Sequence, residues 1–277
     1  METLTSNVYY ASFLPLMALT AAMAWMTRPR AGKETVVPGF RDFQYRYLFV
    51  WALAIGADWL QGPYVYALYA SYGFSGGEIA QLFVAGFLAS MLFGTVVGAL
   101  ADAWGRKCCA VIYCVCYICS CVTKHSNLYH VLLLGRILGG VATSLLFSTF
   151  ECWMVAEHRR RGFSEALLRH MFGLMFFVQY LAAIAAGLVA QVAANAHPLS
   201  KIGEGFGSLH FGGYTAPFDL AICLLLVAVP AILLTWTENY GDSAAGQTSG
   251  LSDSFAAAGR ALVSGWRVPL LGVIVTA

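Results

Sequence analysis

"GALADAWGRK", residues 98–107, joins two apolar runs and carries both signs of charge at fixed spacing. About twenty nearly uncharged residues precede it and about sixteen follow. The composition around it is that of a membrane protein. Of 277 residues, 59% are hydrophobic and 11% charged, whereas soluble domains carry about 25% charged residues. Apolar runs of about 18 or more residues with few charges read as membrane-spanning helices. They fall at 8–27, 47–70, 79–101, 108–123, 131–154, 168–194 and 216–236, and an eighth opens in "VPLLGVIVTA" at 268–277. An ending on uncapped apolar residues is the mark of a truncated chain, with five or six further spans expected beyond residue 277.

Alternate links differ sharply in basic residues. One set holds thirteen, from Arg28 through Arg106, Lys107 and Arg159–Arg161 to Arg267; the opposite set holds Lys124 and Lys201. The positive-inside rule places the first set in the cytosol. Trp25, Trp51, Trp104, Trp153 and Trp236 fall near that face and read as an interfacial aromatic belt. The first span has its basic cluster after it, which suits a retained helix with its N-terminus outside better than a cleaved signal. The Gly-rich link 195–215 reads as an external loop. "SDSFAAAGRALVSGW" (252–266) reads as an amphipathic helix on the cytosolic interface, capped by Ser252 or Asp253. The expected division is a helix and basic link at 1–46, a six-helix bundle at 47–237, a cytosolic linker at 238–267, and the start of a second bundle at 268–277.

In the opening stretch, Gly94, Gly98 and Gly105 permit close helix approach and a tight turn. Asp102 suits the cap of the next helix or a neighbouring helix N-terminus, and Arg106 and Lys107 suit headgroups or carboxylates. The pattern G-x-x-x-D-x-x-G-R-K resembles the signature between helices 2 and 3 of the major facilitator superfamily. "GRILGG" (135–140) resembles that superfamily's helix 4 pattern. Ala103 stands where the superfamily often has a basic residue. The span at 168–194 lacks the Gly-Pro motif of its antiporters, which disfavours drug–proton antiport.

A closer resemblance covers almost the whole chain. "ADWLQGPYVYALY" (57–69), "GRILGGVATSLLFSTFECW" (135–153), "AEH" (156–158), "APF" (216–218) and "ENY" (238–240) are similar to the molybdate-anion transporters of this superfamily. The resemblance implies the N-terminal half of a roughly twelve-helix carrier importing molybdate, placed in the cell membrane. Its implied partners are the molybdate anion, a coupling proton, the bilayer and the missing C-terminal half. Three-helix repeats, inverted within each half, would set the substrate near the midplane.

Charges inside a bilayer cost roughly 2.5–3.5 kcal/mol on insertion scales and so face cavities or partners. Arg136, Asp58 and Glu151 are the ones here. Arg136 offers a permanently charged fork of donors to a tetrahedral dianion. Gln61 shares a helix face with Asp58, and Tyr64 lies one turn further out; Thr143 and Ser144 offer hydroxyls. Asp58 would repel the anion when ionised, so it reads as the partner of Arg136 or as a proton carrier. The blander reading is that Arg136 and Asp58 pair only to hold two helices together. Glu151 lies roughly 22 Å along the helix from Arg136 and suits a cytosolic gate. Gly98, Asp102, Gly105, Arg106 and Lys107 would steady one conformational state.

Other features have plainer readings. The cysteine-rich run at 108–121, with Cys116 and Cys119 as a C-x-x-C, reads as small buried hydrophobes rather than a metal site. "EHRRRGFSEALLRH" (157–170) reads as a basic cytosolic link rather than a phosphate site. Asp219 complements a helix N-terminus. A net charge of +2 excludes a broad field for nucleic acid. With no nucleophile–base pair or metal-ligand set, neither an enzyme nor a cofactor is expected. A carrier for another anion or small metabolite, or a non-transporting scaffold or sensor, remains as the alternative.

Overall fold

The computed structural model describes Pro15, residues 37–202 and residues 208–241. The span at 8–27, the amphipathic helix at 252–266 and the start of a second bundle lie outside the described residues, Pro15 apart.

Helix α1, Phe40–Gln61, follows Gly39, whose φ of 81° only glycine takes without strain. The expected span 47–70 is not one helix. Pro63 lacks an N–H and crowds the preceding turn, so Gly62–Tyr64 tightens into a 3₁₀ turn before α2, Val65–Ser71. A capping box between Ser75 and Glu78 opens α3, Gly76–Trp104. Gly105 alone separates it from α4, Arg106–Thr123, at φ 96° and ψ 140°. Next come α5, Tyr129–Arg160, and α6, Glu165–Ala196, capped by Ser164. The expected external loop contains a short antiparallel hairpin, β1 (Ser200–Ile202) with β2 (Leu209–Phe211), in the register Lys201↔His210. Helix α7, Ala216–Thr235, closes the bundle.

Five of these helices are long and apolar enough to cross a membrane: α3, α4, α5, α6 and the segment Gly213–Thr235. The interrupted pair α1–α2 stands ahead of these five in the bundle. Helix α5 packs on α3 and α4, while α1 packs on α6 and α7; α4 and α7 also touch each other. Exchanging the first three spans for the last three maps these pairs onto one another, the pattern of a three-helix repeat.

Helix association in lipid relies on small residues and interhelical hydrogen bonds. A Cβ on Gly140 would overlap the Gly86 carbonyl oxygen across α3 and α5. One on Gly139 would stand 3.1 Å from Ser120 Oγ on α4. Ser144 Oγ donates to the Ser90 carbonyl at 2.7 Å, and Ser120 Oγ to that of Gly135 at 2.6 Å. Gly94 makes only ordinary contact, 3.9 Å from Ser144 Oγ, and a Cβ on Gly98 would meet nothing within 4 Å. The outward apolar face of α6, with Phe177, Ile184, Leu188 and Val192 exposed, suits acyl chains.

The aromatic belt is corrected. Trp51, Trp153 and Trp236 are buried inside the bundle and only Trp104 of the described four is exposed. Trp153 and Trp236 stack at 3.9 Å between ring centroids. The Trp51 and Trp153 indole N–H groups donate to the carbonyls of Met175 and Thr237 at 3.0 and 2.8 Å. A buried indole with a hydrogen-bond partner packs as well as an interfacial one, so position along the span did not distinguish the two. Cys109, Cys114 and Cys121 are buried along α4; Cys108 and Cys119 are exposed.

Candidate functional site

The charged residues form two groups, one at the Gly105 end of the bundle, expected to be cytosolic, and one toward the opposite end, expected to be external. The cytosolic group is built around Gly105. The first amides of a helix lack intrahelical acceptors and attract negative charge. At α4 this acceptor is Glu238, which follows α7. Its carboxylate takes the Lys107 N–H at 2.7 Å and the Cys108 N–H at 3.0 Å. A Cβ on Gly105 would overlap that carboxylate. Asp102, expected as a cap, instead belongs to the last turn of α3 and accepts from Arg106 Nη2 at 2.8 Å. The Arg106 amide donates to the Asn239 carbonyl at 3.0 Å. Lys107 Nζ donates to Leu233 O at 2.8 Å, near the C-terminus of α7.

The strap after α7 is also tied to α5. Glu157, fully buried, accepts from Arg160 at 2.9 Å, Arg161 at 2.8 Å and the Thr237 hydroxyl at 3.2 Å. Two of the three consecutive arginines are thus held by the protein itself. Glu151 lines a cavity of about 600 Å³ with Arg106, Arg159, Arg160 and Glu238. It shares no contact with Arg136, as their spacing along α5 requires.

Toward the outer end, the expected pair of Asp58 and Arg136 is absent. Asp58 accepts a hydrogen bond from the Tyr117 hydroxyl of α4. Arg136 turns toward α3, where Nε donates to the Leu82 carbonyl at 3.3 Å and the guanidinium lies 4.7 Å from the Phe83 ring centroid. A Cβ on Gly86 would come within 2.8 Å of its Nη2. The reason is the packing order: α5 lies chiefly on α3 and α4, whereas α1 lies chiefly on α6 and α7. Gln61 is buried with its amide donating to Ala57 O in its own helix at 3.2 Å. Tyr64, in the 3₁₀ turn, stacks on Tyr214 at 5.8 Å rather than continuing the face of Gln61. Thr143 returns its hydroxyl to the Gly139 carbonyl at 2.9 Å, and that of Ser144 is spent on the Ser90 carbonyl of α3.

Three partners escaped the sequence reading. Tyr117 and Glu238 are polar residues with unremarkable spacing. Lys124 had been counted only as a charge in an external link. It follows Tyr117 and Cys121 at helical spacing, so it shares their face of α4, and it is 1% exposed. Burial, with Arg136 nearby, draws its ammonium down to about 7. Just beyond it, His125 Nε2 meets Asp219 Oδ1 at 2.9 Å, so Asp219 both sits in the first turn of α7 and holds the neighbouring link.

A bundle of long apolar helices with a repeat-like packing order and few, sheltered charges defines a multi-pass membrane protein. The family of sugar transporters with twelve transmembrane segments matches residues 8–277, and the chain belongs to it, within the major facilitator superfamily. It is 36% identical over 98% of its length to a molybdate-anion transporter of Xenopus tropicalis, and covers 56% of that protein. Proteins of the same name from Takifugu rubripes and Danio rerio are 36% and 37% identical over 83% of this chain, which covers 46% of each. The chain thus spans about half the length of these curated relatives. It is a multi-pass integral membrane protein.

Proposed function

We propose that the whole protein is a secondary carrier importing molybdate by alternating access, with its substrate near the midplane between this bundle and a second one. The observation that carries this is the setting of Arg136. Among the described residues no carboxylate pairs with it, and the hydrogen bond it makes there runs from Nε to the uncharged Leu82 carbonyl. Binding of an oxyanion there uses charge-assisted hydrogen bonds, which are shorter and stronger than neutral ones. Gln61 and Tyr64 shape the neighbouring wall and offer neutral donors on rearrangement. Asp58, engaged by an uncharged phenol rather than a cation, suits a proton carrier that is neutral while substrate is bound. Rocking of the bundle opens the Glu151 cavity in turn to the cytosol, and the Gly98–Lys107 link with Glu238 steadies one of the two states.

The test is uptake of molybdate by the full-length carrier in the plasma membrane, with tungstate, sulfate and sugars as competitors. Saturable uptake blocked by tungstate supports the reading. Competition by sugars alone, in keeping with the description of the matched family, would instead favour a carrier of the same fold for an uncharged solute. Flux that does not saturate would indicate a channel.

A further inference from the structure

A lysine at the outer end of a transmembrane helix ordinarily extends its ammonium toward headgroups and water. Lys124 does the opposite. It is the residue closing α4, yet it is 1% exposed and its Nζ has no hydrogen-bond partner among the described residues. Its backbone carbonyl is held by the Tyr72 hydroxyl at 2.6 Å, which fixes the base of the side chain. The ammonium lies 5.7 Å from the Tyr69 ring centroid and 3.1 Å from where a Cβ on Gly135 would stand. Arg136 lies over the Phe83 ring, and Phe83 meets the Tyr69 ring edge to face, so a lysine and an arginine border one neighbourhood between α2, α3, α4 and α5. The Tyr69 hydroxyl, also fully buried, likewise has no partner.

Like charges do not gather in a low-dielectric interior without compensation. The nearby carboxylates do not supply it: Asp58 is engaged by Tyr117, and Asp219 by His125. What is left is a buried set of donors lacking an acceptor of matching charge. We infer that Lys124 and Tyr69 complete, with Arg136, a binding site for a tetrahedral divalent oxyanion in the outer half of the bundle. The inference rests on the carrier reading and deepens it, assigning two residues and a charge class to the substrate. A dianion there stabilises the protonated Lys124 beside Arg136 and accepts the phenolic O–H, and Gly135 and Gly86 leave the room for the two side chains.

The experiment measures equilibrium binding of molybdate, tungstate and sulfate to the purified full-length carrier, together with thermal stability in the absence of anion. Lys124→Met removes the charge and shortens the unbranched side chain by a single atom; Tyr69→Phe removes only the hydroxyl; Lys124→Arg keeps the charge. The first two are expected to weaken binding of the dianions about tenfold or more, the equivalent of one charge-assisted hydrogen bond. Lys124→Arg should retain more affinity than Lys124→Met. Lys124→Met should also leave the anion-free protein as stable or more so, which a merely structural lysine would not. Wild-type affinity in Lys124→Met, or a loss of stability that Lys124→Arg fails to restore, would overturn the inference. If Arg136→Ala abolishes binding while Lys124→Met does not, the carrier reading stands and this site falls. If the wild type binds tungstate or sulfate but not molybdate, molybdate import falls, and the site stands when Lys124→Met weakens those anions. A wild type that binds none of the three overturns both.

Discussion

Glu238 closes over Gly105: the carboxylate fills the space a side chain at residue 105 would need and caps the helix that starts beside it. This one contact joins the end of α7 to the start of α4. Glu238→Ala should therefore cost about 0.5–2 kcal/mol, the usual worth of a helix cap. It should also speed hydrogen exchange at the Lys107 and Cys108 amides before the rest of α4. Gly105→Ala is expected to be worse, since it adds a backbone conformation that side chains rarely adopt to a collision with the cap. Thermal unfolding of the two variants ranks them.

Asp58 and Tyr117 separate structure from coupling. Asp58→Asn keeps an acceptor for the Tyr117 hydroxyl, so the bundle should fold and reach the membrane. If Asp58 carries the coupling proton, this variant loses uptake driven by a pH gradient but still exchanges labelled for unlabelled molybdate. Loss of both activities with normal expression would place Asp58 in substrate binding instead.

The His125–Asp219 pair sets a pH dependence on the outer face. Burial lowers the affinity of the imidazole for its proton, but the Asp219 hydrogen bond and charge outweigh it, and the net shift is upward from 6.5. A folded value above the unfolded one stabilises the protein fully below the unfolded value and is lost as pH rises through the folded value. The buried Lys124 next in the chain contributes in the opposite sense, so the comparison needs both variants. With Lys124→Met removing the opposing term, thermal stability should decline as pH rises above 6.5, and adding His125→Gln should abolish that decline. The hairpin is the part expected to loosen, because the His210 amide donates to the His125 carbonyl at 2.8 Å.

The glycines divide by contact. Gly140→Ala drives a methyl into the Gly86 carbonyl, where backbone must move, and should destabilise by about 1–3 kcal/mol as overpacking does. Gly98→Ala should leave stability within about 0.5 kcal/mol, the range of substitutions without contacts. A transport defect in Gly98→Ala at unchanged stability would assign that glycine to the moving interface.

The sequence made the bundle legible because lipid demands long apolar runs and the positive-inside bias orients them. A tight turn at Gly105 was legible from the glycine, but the expected link at 102–107 was too long, because both helices run on until Gly105 alone separates them. Less was legible where the partner lay far along the chain. Asp58 and Arg136 were paired on charge alone, but the order in which helices pack gave each a different neighbour. Trp51 and Trp153 fall near the ends of apolar runs, and only their hydrogen bonds and stacking partners show that they point inward. Lys124 looked like an external charge because its position beyond a span is visible in sequence, whereas the direction of its side chain is not.

The central claim is that Arg136 holds an oxyanion inside the membrane. Initial rates of molybdate uptake by cells expressing the full-length carrier, its Arg136→Ala variant and its Arg136→Lys variant at matched surface levels test it most directly. The account predicts no uptake above background for Arg136→Ala and a residual, higher-KM activity for Arg136→Lys. Parental rates and KM in Arg136→Ala would contradict it.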